Sequence, residues 1–394
     1  MAQCTLKPDI DFTRKLAEAG GDSLKKCYQC ATCAVACPMA PANAPYPRKE
    51  MVWASWGLAD KLKSDVDIWL CHNCGNCSDL CPRGANPADV MAAARNTVYQ
   101  DLTEPKKVGE LMSKPSGLPI LFGIPALLWL IVWWIRAGYN NGNWFPTRAD
   151  GSIVFGDIFY GDYTIDPIFM LTFFGALFII GKGAYKLWQS FKPEGKLTMI
   201  GEKGCWLCHL WNVLVEEVIF ATHFDDCHAG PKTGKATPGR RVGHTVLVWA
   251  FAMLAFVTAV VALGHWGGKV IPAIEITTPL NPLNLLKVIA NVGALMLVVG
   301  LAMLTLRRLT ENKETHKSSY YDWYLLGIIW AVALTGIFSQ IFRLAEAAGP
   351  AFLVYYLHLV FVWMLFAYLP WSKLGHLVYR TVALLYVRMY GRKG

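Results

Sequence analysis

Two stretches of the chain repeat one cysteine spacing. Cys27-Tyr-Gln-Cys30-Ala-Thr-Cys33-Ala-Val-Ala-Cys37-Pro38 is followed by Cys71-His-Asn-Cys74-Gly-Asn-Cys77-Ser-Asp-Leu-Cys81-Pro82, and both read C-x2-C-x2-C-x3-C-P. Three thiolates this close can hold three corners of one iron-sulfur cubane, while the fourth, just before a proline, points away to a second cluster. The pattern predicts two [4Fe-4S] clusters with crossed ligand sets: Cys27, Cys30 and Cys33 with Cys81, and Cys71, Cys74 and Cys77 with Cys37. Zinc is the competing chemistry for CxxC pairs. One zinc site, however, leaves four of these eight cysteines over and has no use for the trailing C-P. Eight of the 12 cysteines fall within residues 27–81, and such clustering argues for metal over disulfides. Cys4 reads as a bystander thiol, and His72 as a surface or cluster-shielding residue.

The histidines carry a second chemistry. His358 lies inside an apolar run, where an ionisable residue is costly and marks function. Eighteen residues separate it from His376, about five turns and 27 Å on an ideal helix. That spacing puts both imidazoles on one face of a helix near opposite sides of a bilayer, the geometry of two stacked haems, each with a second histidine from a facing helix. His244 and His265 bound another apolar run; His244 pairs with His376 at one end and His265 with His358 at the other. The His244–His265 distance, about 31 Å, is longer, and an ideal helix turns His265 onto a neighbouring face. His209, His223 and His228 are further candidates, each with an ordinary interfacial role as its alternative. Cys205-Trp-Leu-Cys208-His209 fits the C-x-x-C-H pattern of covalent haem attachment. The topology below puts it on the wrong side of the membrane for that, and it reads as chance spacing.

These residues need a membrane to position them. The chain is 54% hydrophobic and only 16% charged, against roughly 25% charged in an average soluble domain. Six runs are long enough to cross a hydrocarbon core of about 30 Å, near residues 118–136, 166–188, 243–264, 283–306, 321–343 and 350–371. Lys182, Lys186, Lys192, Lys196 and Lys203 follow the second run, Arg307, Arg308, Lys313 and Lys317 the fourth, and Lys373, Arg380, Arg388, Arg392 and Lys393 the last. Asp150, Asp157, Asp162 and Asp166 follow the first. Positive loops stay inside, so both termini are expected in the cytoplasm of a bacterial cell, with the chain in the inner membrane. The net charge of +9 is explained by these loops and does not point to nucleic acid. No apolar leader opens the chain. A seventh apolar stretch, about 205–224, is broken by Glu216 and Glu217 and reads as an interfacial helix; counting it as a span would put Arg307 and Arg308 outside.

The predicted fold is all-α. An α-helical ferredoxin-like domain (1–115), with a helix near 47–62 between the motifs, precedes a six-helix transmembrane dihaem cytochrome b domain (116–394). No P-loop, dinucleotide fingerprint or hydrolytic triad appears.

The segment LHLVFVWMLFAYLPWSKLGH resembles the last helix of the respiratory nitrate reductase gamma subunit. CYQCATCAVACP…YPRKEMVWASWG…IWLCHNCGNCSDLCP resembles the small iron-sulfur subunit of heterodisulfide reductase. Their fusion is similar to the membrane subunits of the quinone-interacting membrane-bound oxidoreductases (Qmo) of sulfate reducers. The gamma subunit has two histidines about ten apart on the facing helix, where this chain has Leu254, so the fourth ligand does not carry over. The resemblance implies flavin and iron-sulfur partner subunits and electron transfer from menaquinol, through two b haems and two clusters, to adenylylsulfate (APS) reductase. The alternative is the membrane subunit of a heterodisulfide reductase-like or sulfite-reduction-linked complex; a sensory redox protein and a transporter with an accessory cluster domain are the other classes.

A quinol site needs a titratable residue at a haem edge. Arg343 and Glu346, with Gln340, Lys269 and Glu275 nearby, are the candidates at the outer end, which the gamma-subunit resemblance favours. Glu216, Glu217 and His223 are those at the inner end. The plain alternatives are an Arg343–Glu346 ion pair, and Glu216 and Glu217 facing water.

Overall fold

The computed structural model describes residues 7–40, 45–191, 205–222, 239–310 and 318–391. Cys4, His223, Cys227 and His228 lie outside the described residues, as do Lys192, Lys196, Lys203, Lys313, Lys317, Arg392 and Lys393. Among the described residues there is no strand, and the chain is all-α as the sequence predicts.

The N-terminal part is built from α1 (Ile10–Leu16), α2 (Thr32–Val35), α3 (Arg48–Ser55), α4 (Ala59–Lys63), α5 (Asp67–Leu70), α6 (Asn76–Asp79), α7 (Pro87–Leu102) and α8 (Lys106–Ser113). The short helices cannot stand alone, and α7 is the rod they pack on. Pro87 opens it, where a missing N–H costs nothing, and its Val90, Met91, Ala94 and Val98 are buried against α1, α3 and α5. Six long apolar helices follow: α9 (Leu118–Tyr139), α10 (Asp166–Ser190), then, after the short α11 (Trp206–Val213), α12 (Gly239–Gly268), α13 (Leu285–Thr310), α14 (Tyr320–Leu344) and α15 (Ala348–Ala367). Only 11–33% of the most apolar window of each is buried within the protein. The remainder, including Leu127, Leu171, Phe178, Leu263 and Leu295, presents bare hydrocarbon along six helices long and apolar enough to span a bilayer; the chain is a multi-pass membrane protein.

Glycine allows a close crossing. On α13 a Cβ at Gly300 would lie 3.2 Å from the Leu247 amide nitrogen of α12, and one at Gly293 3.3 Å from Met253 Cβ, so the two backbones meet where side chains are absent. α14 packs along α15, and α9 and α10 also pack on α15.

The last helix departs from the sequence expectation. A single helix carrying both His358 and His376 does not form: α15 ends at Ala367, a tight turn runs through Leu369–Trp371, and α16 (Lys373–Tyr390) starts afresh. Pro370 supplies no amide hydrogen and crowds the preceding turn, and the Ser372 hydroxyl caps the new helix by accepting from the Leu374 amide at 3.2 Å. α16 then packs on α5, α10 and α11, tying the membrane bundle to the cysteine-bearing part. Tyr99 donates to Ser372 O at 2.9 Å, and Trp371 Nε1 to Pro105 O at 3.1 Å.

Candidate functional site

The two cysteine motifs fold alike. In each, the second and fourth residues after the first cysteine are left-handed: Gln29 (φ +61°) and Ala31 (φ +66°), then Asn73 (φ +51°) and Gly75 (φ +86°). The bends turn successive sulfurs inward, at a cost of about 1 kcal/mol for a residue such as Ala31. α2 and α6 start directly after and carry Cys33 and Cys77.

Cys27, Cys30, Cys33 and Cys81 line a single pocket, with Arg48 and Arg83 at its rim. The sulfurs acting on Cys77 are those of Cys71, Cys74 and Cys37, with Cys33 beyond, and Cys37 faces Cys71 and Cys74. The two crossed sets are thus brought together. Burial, then the neighbouring Cys27, Cys81 and Cys30, pushes the Cys33 thiol up to about 11, and burial pushes Cys37 up to about 12. Four thiols this crowded ionise together only around a cationic centre. The backbone amides of Asn73 and Ala85 point at Cys71 Sγ and Cys81 Sγ, each at 3.4 Å, as amides do at cluster sulfurs. An all-sulfur donor set with amide support fits the [4Fe-4S] group.

Two further features near these loops were not singled out from sequence. The hydroxyl of the fully buried Tyr46 has no oxygen or nitrogen partner and lies against Cys71, with Glu50 and Cys37 also near. A phenol donating to a cluster sulfur stabilises the more negative, reduced state. Tyr46→Phe is therefore expected to lower the midpoint potential of the cluster on Cys71, without loss of iron and without moving the other cluster, in an EPR-monitored titration. The second feature is Glu50, Asp65 and Asp67, whose carboxylate oxygens lie within 4.8 Å of one another. Lys49 Nζ sits among them at 3.0, 3.2 and 2.7 Å, so an ammonium already holds the place a metal would take. Burial, then Asp65, raises Glu50 to about 9. The network pins α3 to α5, the element that leads into Cys71.

The histidines divide. His376, on α16, is half-buried and stacks on Trp69 of α5 with ring centroids 5.7 Å apart. Its Nε2 has no hydrogen-bond partner, and burial, then Arg95 and Arg380, holds its pKa well below the ordinary value, keeping it neutral as a metal ligand must be. Two residues beyond Trp69, the carbonyl of Cys71 accepts from Arg95 at 3.2 Å and from Arg380 of α16 at 3.0 Å. His358 lies in α15 with Nδ1 3.1 Å from Thr335 Oγ1 on α14. That hydroxyl already donates to Ala331 O at 2.6 Å, so it accepts from Nδ1–H and leaves the Nε2 lone pair for a metal. Gly336 makes room for the ring, since a Cβ there would lie 3.0 Å from His358 Cε1. Both residues fit a haem iron. His244 is half-buried near the start of α12. His265 is placed otherwise: its Nε2 is 2.5 Å from Asp162 Oδ1, a carboxylate shared with Lys269, and Trp266 Nε1 donates to Asp166 at 3.0 Å.

Of the quinol-site candidates, Arg343 is half-buried at the end of α14, and Glu346 is exposed just beyond it with φ +55°. Gln340 is half-buried and Glu275 exposed. Glu216 and Glu217 do not simply face water: Glu216 pairs with Arg388, and Glu217 with Arg380 at 3.5 Å, both on α16.

Residues 167–393 match the profile of a family described as citrate utilization protein B, and residues 23–85 that of a 4Fe-4S dicluster domain. One subunit of the H(2):CoB-CoM heterodisulfide,ferredoxin reductase of Methanothermobacter marburgensis is 40% identical over 117 residues, which are 28% of this chain and 63% of the relative. An iron-sulfur subunit of the CoB–CoM heterodisulfide reductase of Methanocaldococcus jannaschii is 37% identical over 98 residues, 23% of this chain and 52% of the relative. This chain thus spans under two thirds of these relatives. Citrate utilization protein B of Escherichia coli is 25% identical over 349 residues, 84% of each chain. No solved structure matches.

Proposed function

The chain belongs to the citrate utilization protein B family, matched over residues 167–393, and from that premise we propose that it is the membrane subunit of a heterodisulfide reductase-like oxidoreductase, exchanging electrons between a quinol in the bilayer and a soluble redox partner. Its general character, an iron-sulfur electron-transfer protein set in a membrane, follows from the dicluster match and the six spans. The observation that carries the finer reading is the joint between the two halves: His376 lies on Trp69, and Arg380, one turn further along α16, donates to the carbonyl of Cys71.

When bound, two [4Fe-4S] clusters and two b haems supply the one-electron carriers that divide the electron pair of a quinol. Crossed cysteine sets hold the clusters; His376 and His358 each offer a neutral Nε2 to a haem, with His244 the further ligand. His265 has its Nε2 at Asp162, so Nδ1 is the atom it would offer. Arg343 and Glu346 remain the candidate quinol contacts at the far end. Lys182, Lys186, Arg307, Arg308, Arg380 and Arg388 gather at the end near the cysteines, which supports a cytoplasmic orientation for that end in a bacterial inner membrane.

A narrower reading, resting on the sequence resemblance alone, is the Qmo membrane subunit, with menaquinol as donor and flavin and iron-sulfur subunits passing electrons to APS reductase. Mass spectrometry of proteins that co-purify with the chain separates the two. The main test uses the purified protein with a menaquinol analogue: haem reduction is expected first, followed by the cluster EPR signals, with the second step slowed in Trp69→Phe. Clusters that dithionite reduces but quinol leaves oxidised, while the haems are reduced, would exclude the proposed route.

A further inference from the structure

α11 begins at a pair of cysteines that belong to neither cluster set. Cys205 and Cys208 are both exposed, whereas of the eight motif cysteines only Cys30 is. Cys205 immediately precedes the helix, with its backbone extended (φ −58°, ψ 127°), and its carbonyl accepts from the Cys208 and His209 amides at 2.9 and 3.2 Å. The Cys208 amide thus closes the first turn and sets the two cysteines one turn apart at the head of the helix. A Cys-x-x-Cys pair at a helix N-terminus is the arrangement that stabilises a thiolate. The spacing also suits closure, because residues three apart on a helix have Cβ atoms about 5–6 Å from each other, and a modest approach brings them within disulfide reach.

We propose that Cys205 and Cys208 form a redox-active dithiol that exchanges with disulfides at the end of the bundle nearest the cysteine motifs. The Cys205 thiolate attacks one sulfur of a disulfide RSSR, forming a mixed disulfide and releasing RS⁻. Cys208, giving up its proton, attacks Cys205 Sγ and displaces the second RS⁻. The two protein thiols are oxidised to a disulfide, the substrate is reduced to two thiols, and the two thiol protons end on the released RS⁻ groups. The asymmetry of the pair sets the roles. Cys205 heads the helix, where unpaired amides favour a thiolate, and its pKa is lowered while that of Cys208, within the first turn, is raised, so Cys205 is the attacking thiol and Cys208 the resolving one. The inference does not depend on the electron-transfer route proposed above.

The test uses the full-length protein in detergent with its clusters intact, equilibrated in glutathione/glutathione disulfide buffers, quenched by alkylation and mapped by peptide mass. Wild type is expected to lose both alkylatable thiols of the 205–208 peptide together as an internal disulfide forms. Cys208→Ser is expected to trap a glutathione adduct on Cys205, and several-fold faster than Cys205→Ser traps one on Cys208. Both thiols staying free across the buffer range, equal or reversed rates in the two variants, or a covalent haem or a zinc ion on the pair would overturn the proposal.

Discussion

Replacing Cys37 with serine is expected to destroy the cluster built on the other motif. Cys37 follows Cys33 in sequence, yet its sulfur neighbours are Cys71 and Cys74, while Cys81 completes the pocket of Cys27, Cys30 and Cys33. Iron should fall from about eight to about four per chain, and the newly alkylatable thiols should map to Cys71, Cys74 and Cys77. Cys81→Ser should give the mirror result, freeing Cys27, Cys30 and Cys33. If Cys37→Ser instead frees the cysteines of its own motif, the ligand sets are not crossed. Bound zinc in place of iron would remove the assignment altogether.

His376→Ala is expected to abolish one of two b-haem signals and His358→Ala the other, because the two imidazoles belong to separate helices with separate support. The effects should differ in kind. His376 lies against Trp69, which leads into Cys71, so its loss should also disturb the EPR line of the cluster on Cys71. His358 is oriented from α14 by Thr335 and fits over Gly336, so its loss should leave both clusters as they were. His244→Ala should remove the same haem as His376→Ala; redox titration with both haem signals intact in His244→Ala would break that pairing.

What was legible in the sequence was what is written locally. The cysteine spacing, the all-α class and the six apolar runs depend on residues within a turn or a span of each other, and they are read directly. What was not legible depends on partners far away in the chain. Glu216 and Glu217 read as a polar interruption of an apolar stretch, because nothing near them signals Arg388 and Arg380 about 170 residues on. Lys49 looks like any surface lysine until α3 brings it against Asp65 and Asp67. Thr335 and Gly336 look ordinary in an apolar helix, and only their contact with His358 on the next helix gives them a role. His265 is rotated from His244 on an ideal helix, and nothing near it in sequence signals Asp162, which its Nε2 meets about 100 residues away. Pro370 was visible, but a proline in an apolar run either kinks a helix or ends it. Trp69 and Tyr99, which hold α16 against the N-terminal part, favour the second outcome.

The turn at Leu369–Trp371 also bears on how such a chain tolerates change. On one continuous helix, inserting a single residue between two histidines rotates them relative to each other by about 100°, so both ligand positions are locked to one register. With the chain interrupted at Pro370 and α16 seated separately on α5, an insertion or deletion within the turn can be absorbed there, while each histidine keeps its own seat. The two ends of the bundle can therefore drift in sequence independently, and length variation among relatives should accumulate at the turn and be absent from the stretches Ala348–Ala367 and Lys373–Arg380.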